Sequence, residues 1–358
     1  MLFEPITTGR LTLRNRLMRS ATAERMTHPE SGHPLSSQKS MYAALAQGGV
    51  GLIVTGHAYV ERGGKAHPEM ASIASDDVIP AWREVIQPAQ RAGARVMMQI
   101  NHGGANCDPA LTGVAVGKAV TLRVMSEQDI QRIVHAFGQA ARRAREAGLD
   151  GVQIHGAHGY LVSQFLTPQT NQRDDAWGGD FERRLAFPKA VIQEMRRQIG
   201  DDYPLWIKLG VAGKEKSQLT LAQGARIAAA CAGYGVDCIE ISHALGRPKD
   251  LDIRQEAPYR PWAEAVRQAV GDDFSLALVS GMRTRAGMEA LLESGLVELV
   301  SMCRPLIAEP DLPHKLRENG AYEHACVRCW ECWPKELGIG VACRHVKVLR
   351  RLEQSTVK

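Results

Sequence analysis

Residues 144–155, AREAGLDGVQIH, read as the end of a helix, a glycine stop and a short apolar strand. Glycine closes a helix because it enters the left-handed conformation without the steric cost other residues bear. The run Gly151–Ile154 shows no strict apolar–polar alternation, which suits a strand covered on both faces. The same phrase recurs as LAQGGVGLIVT (45–55), AQRAGARVMMQI (89–100), AGYGVDCIEIS (232–242) and LLESGLVELVSM (291–302). Adding Leu13–Ser20, Leu205–Leu209 and Leu276–Ser280 gives eight strands alternating with helices. Such a chain is expected to be α/β, a (β/α)8 TIM barrel over residues 1–320, with a cysteine-rich extension over 321–358 packed on it. A doubly wound open sheet fits less well, because no Gly-x-Gly-x-x-Gly follows the first strand.

Helix starts agree with this frame. Ser126-Glu127-Gln128-Asp129 resembles a capping box, after which Ile130, Ile133, Val134, Phe137 and Ala141 share one helical face. Thr220-Leu221-Ala222-Gln223 opens a later helix in the same way.

At 358 residues, with 44% hydrophobic and 23% charged residues, the composition is that of an ordinary globular protein. No apolar run reaches the roughly 18 residues of a membrane span, and the N-terminal residues lack a signal peptide's apolar core. A cytoplasmic location is therefore expected, with no membrane partner. The formal charge of +5 is spread along the chain and argues against a nucleic-acid partner. Only 344–358 is locally basic, as a solvated terminal helix would be.

In a barrel of this kind the loops after the strands carry the site. The stretch from Asp150 to Pro188 sets His155, His158 and Tyr160 within six residues, just where a strand runs into a loop. Neutral imidazoles donate hydrogen bonds to an oxygen that gains negative charge, and a phenol can deliver a proton. The bland reading makes these histidines polar ties for a long loop. After the other strands come Ser20, Ala21 and Thr22, then Gly56 and His57, then Gln99, whose carboxamide can both donate to and accept from a planar amide-bearing ring. Lys208 ends the fifth strand, a costly place for a cation unless it faces an anion or an electron-rich ring. Gly281, Met282 and Arg283 follow the seventh strand, and Cys303 and Arg304 the eighth, where many barrels build a phosphate site.

These residues together resemble the Old Yellow Enzyme family of FMN-dependent oxidoreductases over nearly the whole chain. HGAHGYLVSQFLTPQTNQRDD with WGGDFERR is the most specific stretch, supported by LRNR (13–16), RSAT (19–22) and SMCRPLIAEP (301–310). The resemblance implies noncovalent FMN at the barrel mouth. Ser20, Ala21 and Thr22 would line its ring, and Gly56 and His57 would lie near the reactive edge. Gln99 would meet the pyrimidine side, with Lys208 at the N1/O2 edge. Gly281, Met282, Arg283, Cys303 and Arg304 would hold the phosphate. It also implies NADH or NADPH as reductant, and an α,β-unsaturated carbonyl substrate gripped by His155 and His158 and protonated by Tyr160. A homo-oligomer is implied by similarity alone. Ala23 departs from the family where a group able to tune the flavin often stands, and Ala21 and Ala105 replace a frequent Pro and Arg. The alternatives are a flavin dehydrogenase acting on a C–N bond, and a flavin-free lyase using Lys208 as a Schiff base.

Of the eight cysteines, Cys107, Cys231, Cys238 and Cys303 are scattered and the other four are clustered. Cys231, Cys238 and Cys303 sit among apolar residues, as reduced core thiols would. Cys326, Cys329, Cys332 and Cys343 form C-x2-C-x2-C-x10-C, a metal or redox pattern more than a disulfide one. The motif is similar to the cluster-binding segment of the dienoyl-CoA reductase branch, with its second gap one residue shorter. That similarity implies a 4Fe–4S cluster; zinc, or no metal, are the other readings. Trp330 and Trp333 are expected to shield a bound metal from water. The few residues after the motif suggest no appended FAD and nicotinamide domain.

Overall fold

The computed structural model describes residues 1–108, 111, 125–249, 251–252 and 254–356. Eight parallel strands form the barrel: β1 (Leu17–Arg19), β2 (Leu52–Val54), β3 (Arg95–Asn101), β4 (Gly151–Gly156), β5 (Leu205–Ala212), β6 (Cys238–His243), β7 (Ser275–Val279) and β8 (Leu299–Met302). Each pairs with its sequence neighbour, and β8 returns to β1 with Ser301 opposite Met18. With β2 also paired to β3, the sheet closes on itself. The chain is a (β/α)8 barrel, as its repeating phrase implies.

The layer of helices forms because each carries an apolar stripe. In α3 (Glu127–Glu146), Ser126 and Asp129 make the expected reciprocal cap, and Ile130, Ile133 and Phe137 are buried against the barrel. Thr220 and Gln223 cap α5 (Leu221–Tyr234) likewise; the α4 helix of the series is Ala186–Ile199. Gly148, at φ +88°, turns the chain from α3 toward β4, a conformation that favours glycine.

The first strand is shorter than its sequence suggests. Leu11–Leu13 belongs to an antiparallel hairpin with Ile6–Thr8, and only Leu17–Arg19 joins the barrel. Between them the Asn15 side chain accepts the Leu17 N–H at 3.0 Å and donates to the Gly49 carbonyl at 2.8 Å, which breaks the extended run. Leu11 and Leu13 of the hairpin pack with Met18, Trp206, Ala277 and Leu299 in one apolar cluster inside the barrel. That packing leaves the opposite, C-terminal end of the strands to carry polar groups.

The extension lies over that end. His324 meets the Met282 carbonyl after β7, and Arg304 after β8 donates to the Arg328 carbonyl. Trp333 and Val341 donate to the carbonyls of Ala23 and Glu24 after β1, each at 2.8 Å. A final helix, Val346–Thr356, ends the described chain. Among the described residues, no helix is long and apolar enough to cross a membrane.

Candidate active site at the barrel mouth

Polar side chains of the upper strands form a connected floor. Gln99 donates to Gln153 at 2.8 Å, and Gln153 donates to Glu240 at 3.0 Å. The other Glu240 oxygen accepts from Lys208 (3.1 Å), Ser20 (2.6 Å) and Ser301 (2.8 Å). A carboxylate with no solvent exposure survives in a protein only when its charge is paired and its lone pairs are filled, and Glu240 has both. Its partner Lys208 also donates to Ser20 at 2.6 Å. The sequence reading passed over Glu240, although an acid inside the apolar run CIEIS was the available signal.

Above this floor opens a cavity of about 330 Å³. It brings together Ser20, Ala21, Thr22, His57, Gln99, His155, His158, Tyr160 and Lys208 from the first five strands. Gly281, Met282, Arg283, Cys303 and Arg304 line its other side. Gly56 does not line it: a Cβ there would fall 2.8 Å from the Thr22 carbonyl, so this glycine lets two mouth loops pack together. Cys303 is also differently placed from a core thiol, since it faces the cavity half-buried, whereas Cys231 and Cys238 are buried.

The aromatic end is compact. Ring centroids lie 5.0 Å apart for His155 and His158, 4.9 Å for His155 and Tyr160, and 5.2 Å for His57 and Tyr160. Burial first, then neighbouring imidazoles and Lys208, push His155 and His158 well below the ordinary histidine range. Both are therefore neutral at pH 7 and offer N–H donors without charge. Burial lowers His57 and His243 to about 4, and it raises Tyr160, which keeps its proton. His158 stands at φ +59°, followed by Gly159 at +76°, and is held by its N–H to the His243 carbonyl (3.1 Å) and by Ser242 Oγ at 2.9 Å from Nε2. A non-glycine residue in that region is strained, and here the turn sets its ring at right angles to His155.

At the other end, Ser280 and Gly281 are both left-handed, at φ +100° and +75°. A Cβ on Gly281 would lie 2.4 Å from Pro258 Cδ, so the turn requires glycine. The backbone N–H of Arg283 is taken by the Glu256 carboxylate at 2.7 Å, and its guanidinium pairs with Glu323 at 3.5 Å. Arg304 is a fork-shaped donor whose Cζ stands 4.0 Å from the Trp330 ring centroid, with no carboxylate partner among the described residues.

Several further residues line the cavity. His243 ends β6, Arg247 and Tyr259 follow it, and His324, Arg328, Trp330 and Trp333 come from the extension, the two tryptophans having been expected beside a metal instead. His243 sits just past an apolar run and could have been found by the same rule that found His155. The extension's residues could not, because nothing local says that it folds back over the mouth.

The tail also differs from expectation in one respect. Trp330 is 53% exposed and stacks on Arg304, so it is no shield for a metal. Cys332 is buried, and its thiol is pushed up to about 12 by burial with Cys326, Cys303, Cys343 and Cys329 within electrostatic reach. Among the described residues, no three of these sulfurs gather within 4.8 Å; the one tight donor group joins Cys329 with Glu331 and His345. Tetrahedral zinc thiolates, with bonds of about 2.3 Å, would need closer sulfurs than this.

The sequence profile of the NADH:flavin oxidoreductase / NADH oxidase family matches residues 1–323. A probable NADH-dependent flavin oxidoreductase, YqiG of Bacillus subtilis (strain 168), is 32% identical over 340 residues, covering 89% of this chain and 88% of its own. A metal reductase of Desulforamulus reducens is 31% identical over 344 residues, covering 92% of this chain but 50% of that protein, so the chain spans about half of that relative. Among solved structures, the old yellow enzyme homologue from Zymomonas mobilis superposes with a TM-score of 0.77 at 24% identity, over 91% of this chain and 95% of that one. That likeness shows the shared barrel. With the profile match over most of its length and the identity to YqiG, the chain belongs to the NADH:flavin oxidoreductase / NADH oxidase family, as a flavin oxidoreductase of the Old Yellow Enzyme type.

Proposed function

We propose that the mouth binds FMN noncovalently, takes reducing equivalents from NADH or NADPH, and reduces the activated C=C of an α,β-unsaturated carbonyl compound. The observation that carries this reading is the group His155, His158 and Tyr160: two neutral donors and a protonated phenol around one end of the cavity. The donor set fits FMN. Gln99 offers a carboxamide, Lys208 an ammonium anchored from below, and Arg304 with the Gly281 turn a place for the phosphate.

FMN, when bound, supplies the hydride that passes to the β-carbon. His155 and His158 hold the substrate's carbonyl oxygen, and because they are uncharged donors already aimed, they favour the negative charge that builds there by a few kcal/mol. Tyr160 gives its proton to the α-carbon, and the nicotinamide is the group oxidised overall. No carboxylate lines the cavity among the described residues, so an ammonium substrate would find no partner, which disfavours a C–N dehydrogenase. Lys208 is held as an ion-paired ammonium by Glu240, which disfavours a Schiff-base lyase.

The test is anaerobic reoxidation of the NADH-reduced protein by 2-cyclohexenone, followed at the flavin band. Rapid reoxidation with cyclohexanone as product supports the reading. A colourless preparation, or no reoxidation, overturns it.

For the tail we propose a 4Fe–4S cluster on Cys326, Cys329, Cys332 and Cys343. Among the described residues no three of these sulfurs lie within 4.8 Å of one another, which suits a cubane better than zinc. Iron and acid-labile sulfide near four per chain would support it, and zinc alone would sink it.

A further inference from the structure

The charges around the cavity do not balance, and the surplus has a location. Lys208, Arg247, Arg283, Arg304 and Arg328 line it, and no Asp or Glu does, among the described residues. Lys208 is matched by Glu240 beneath it, and Arg283 by Glu323. Arg328 feels Asp252 and donates to the Arg254 carbonyl. Arg304 is the phosphate donor of the proposed FMN site. That leaves Arg247, half-buried in the loop after β6, whose carboxylate partner is missing among the described residues.

Arg247 occupies the gap between the two ends of the site. Its Cζ stands 5.6 Å from the Trp330 ring centroid, the same indole that packs on Arg304. It also lies within electrostatic reach of His243, whose ring is 4.5 Å from that of His158. Trp330 is held at φ +68° while 53% exposed, a strained backbone presenting an open indole face at the rim. A guanidinium laid on an aromatic ring keeps its edge free for a carboxylate fork.

We propose that Arg247, with Trp330 as its platform, selects an anionic substrate: an unsaturated aldehyde or ketone that also bears a carboxylate. This rests on the reading of the mouth as an unsaturated-carbonyl site. The carbonyl sits under His155 and His158, and the carboxylate reaches across His243 to Arg247. The extension thereby acts as a specificity element, since it supplies the surface on which the arginine rests.

The test compares cinnamaldehyde with 4-carboxycinnamaldehyde in the FMN-loaded protein, wild type and with Arg247→Gln and Arg247→Lys. In wild type, kcat/KM should favour the carboxylated aldehyde by roughly tenfold or more, the scale of one charged hydrogen bond, chiefly through KM. Arg247→Gln should bring the two aldehydes to within about twofold of each other, and Arg247→Lys should restore part of the preference. The Kd of 4-carboxycinnamaldehyde, measured by calorimetry without turnover, should rise about tenfold in Arg247→Gln. Equal use of both aldehydes by the wild type overturns the proposal while leaving the unsaturated-carbonyl reading intact. So does a variant that keeps the preference but binds NADH more weakly, because the guanidinium then serves the dinucleotide's pyrophosphate. If NADH reduces the protein and neither aldehyde reoxidises it, the unsaturated-carbonyl reading itself fails and this proposal falls with it.

Discussion

Lys208 Nζ lies 3.1 Å from Glu240 Oε1 on adjacent strands, with both side chains withdrawn from solvent. Of the two, only the lysine lines the cavity, so the glutamate acts on the site through its neighbour. This pair sets how much positive charge the floor presents to whatever rests on it.

Removing half of the pair should be costly. Glu240→Ala strips the carboxylate from under Lys208, Ser20, Ser301 and Gln153, and is expected to destabilise the protein by about 3–5 kcal/mol, read from urea denaturation. Glu240→Gln keeps the shape but leaves the ammonium's charge unbalanced. The midpoint potential of bound FMN should then rise by about 30 mV or more, the equivalent of tenfold for a two-electron couple. A potential that stays or falls would show that Lys208 does not face the ring.

The imidazole pair gives a binding prediction. His155→Ala and His158→Ala should each weaken a phenol-type carbonyl mimic by roughly tenfold or more, from loss of one buried donor. Spectral titration of the FMN-loaded protein reads this directly, and unchanged affinity would remove their assigned role.

Tyr160→Phe should split the two half-reactions. Reduction by nicotinamide needs no proton from the phenol, whereas saturation of the C=C does. Stopped-flow should show reoxidation by an enone slowed about 10²-fold or more, with the nicotinamide step little altered. Equal slowing of both would argue against the proton-donor role.

Acid should destabilise the fold through its buried histidines. His57 and His243 take up protons only near pH 4 in the folded protein, whereas in the unfolded chain they do so near 6.5. Between those values the unfolded chain holds more protons, so stability is full above about pH 6.5 and is lost as pH falls toward 4. Thermal midpoints should drop across that window, and His243→Asn should flatten the slope. A midpoint independent of pH there would contradict the neutral-imidazole account.

The bonds that tie the extension to the mouth include one to the loop after β1. Trp333→Phe removes the donor to the Ala23 carbonyl and should cost about 1 kcal/mol. Faster proteolytic cleavage after residue 330, with the barrel left intact, is the expected readout. Equal cleavage would mean that Val341 and the other contacts suffice.

The sequence by itself determined the barrel, because its cause is local and repeated. A glycine such as Gly148 or Gly235 stops a helix, and the apolar run behind it must be covered on both faces, so one pattern read five times, with three further apolar strands, leaves one architecture. It also marked His155, His158, Tyr160 and Lys208, since polar groups at strand ends are visible without knowing what lies opposite. Tertiary structure alone decided what those groups meet. Glu240 meets Lys208 on the neighbouring strand, but it reaches Ser20 only because the sheet closes, joining residues 220 positions apart at one carboxylate. Gly56 packs against Thr22 while its neighbour His57 lines the cavity, a contact between loops that no local pattern encodes. The extension was expected to pack on the barrel, but which end it covers was equally hidden. Long-range closure brings Trp330 onto Arg304 and beside Arg247, and the energy that holds it there comes from contacts between segments far apart in the chain.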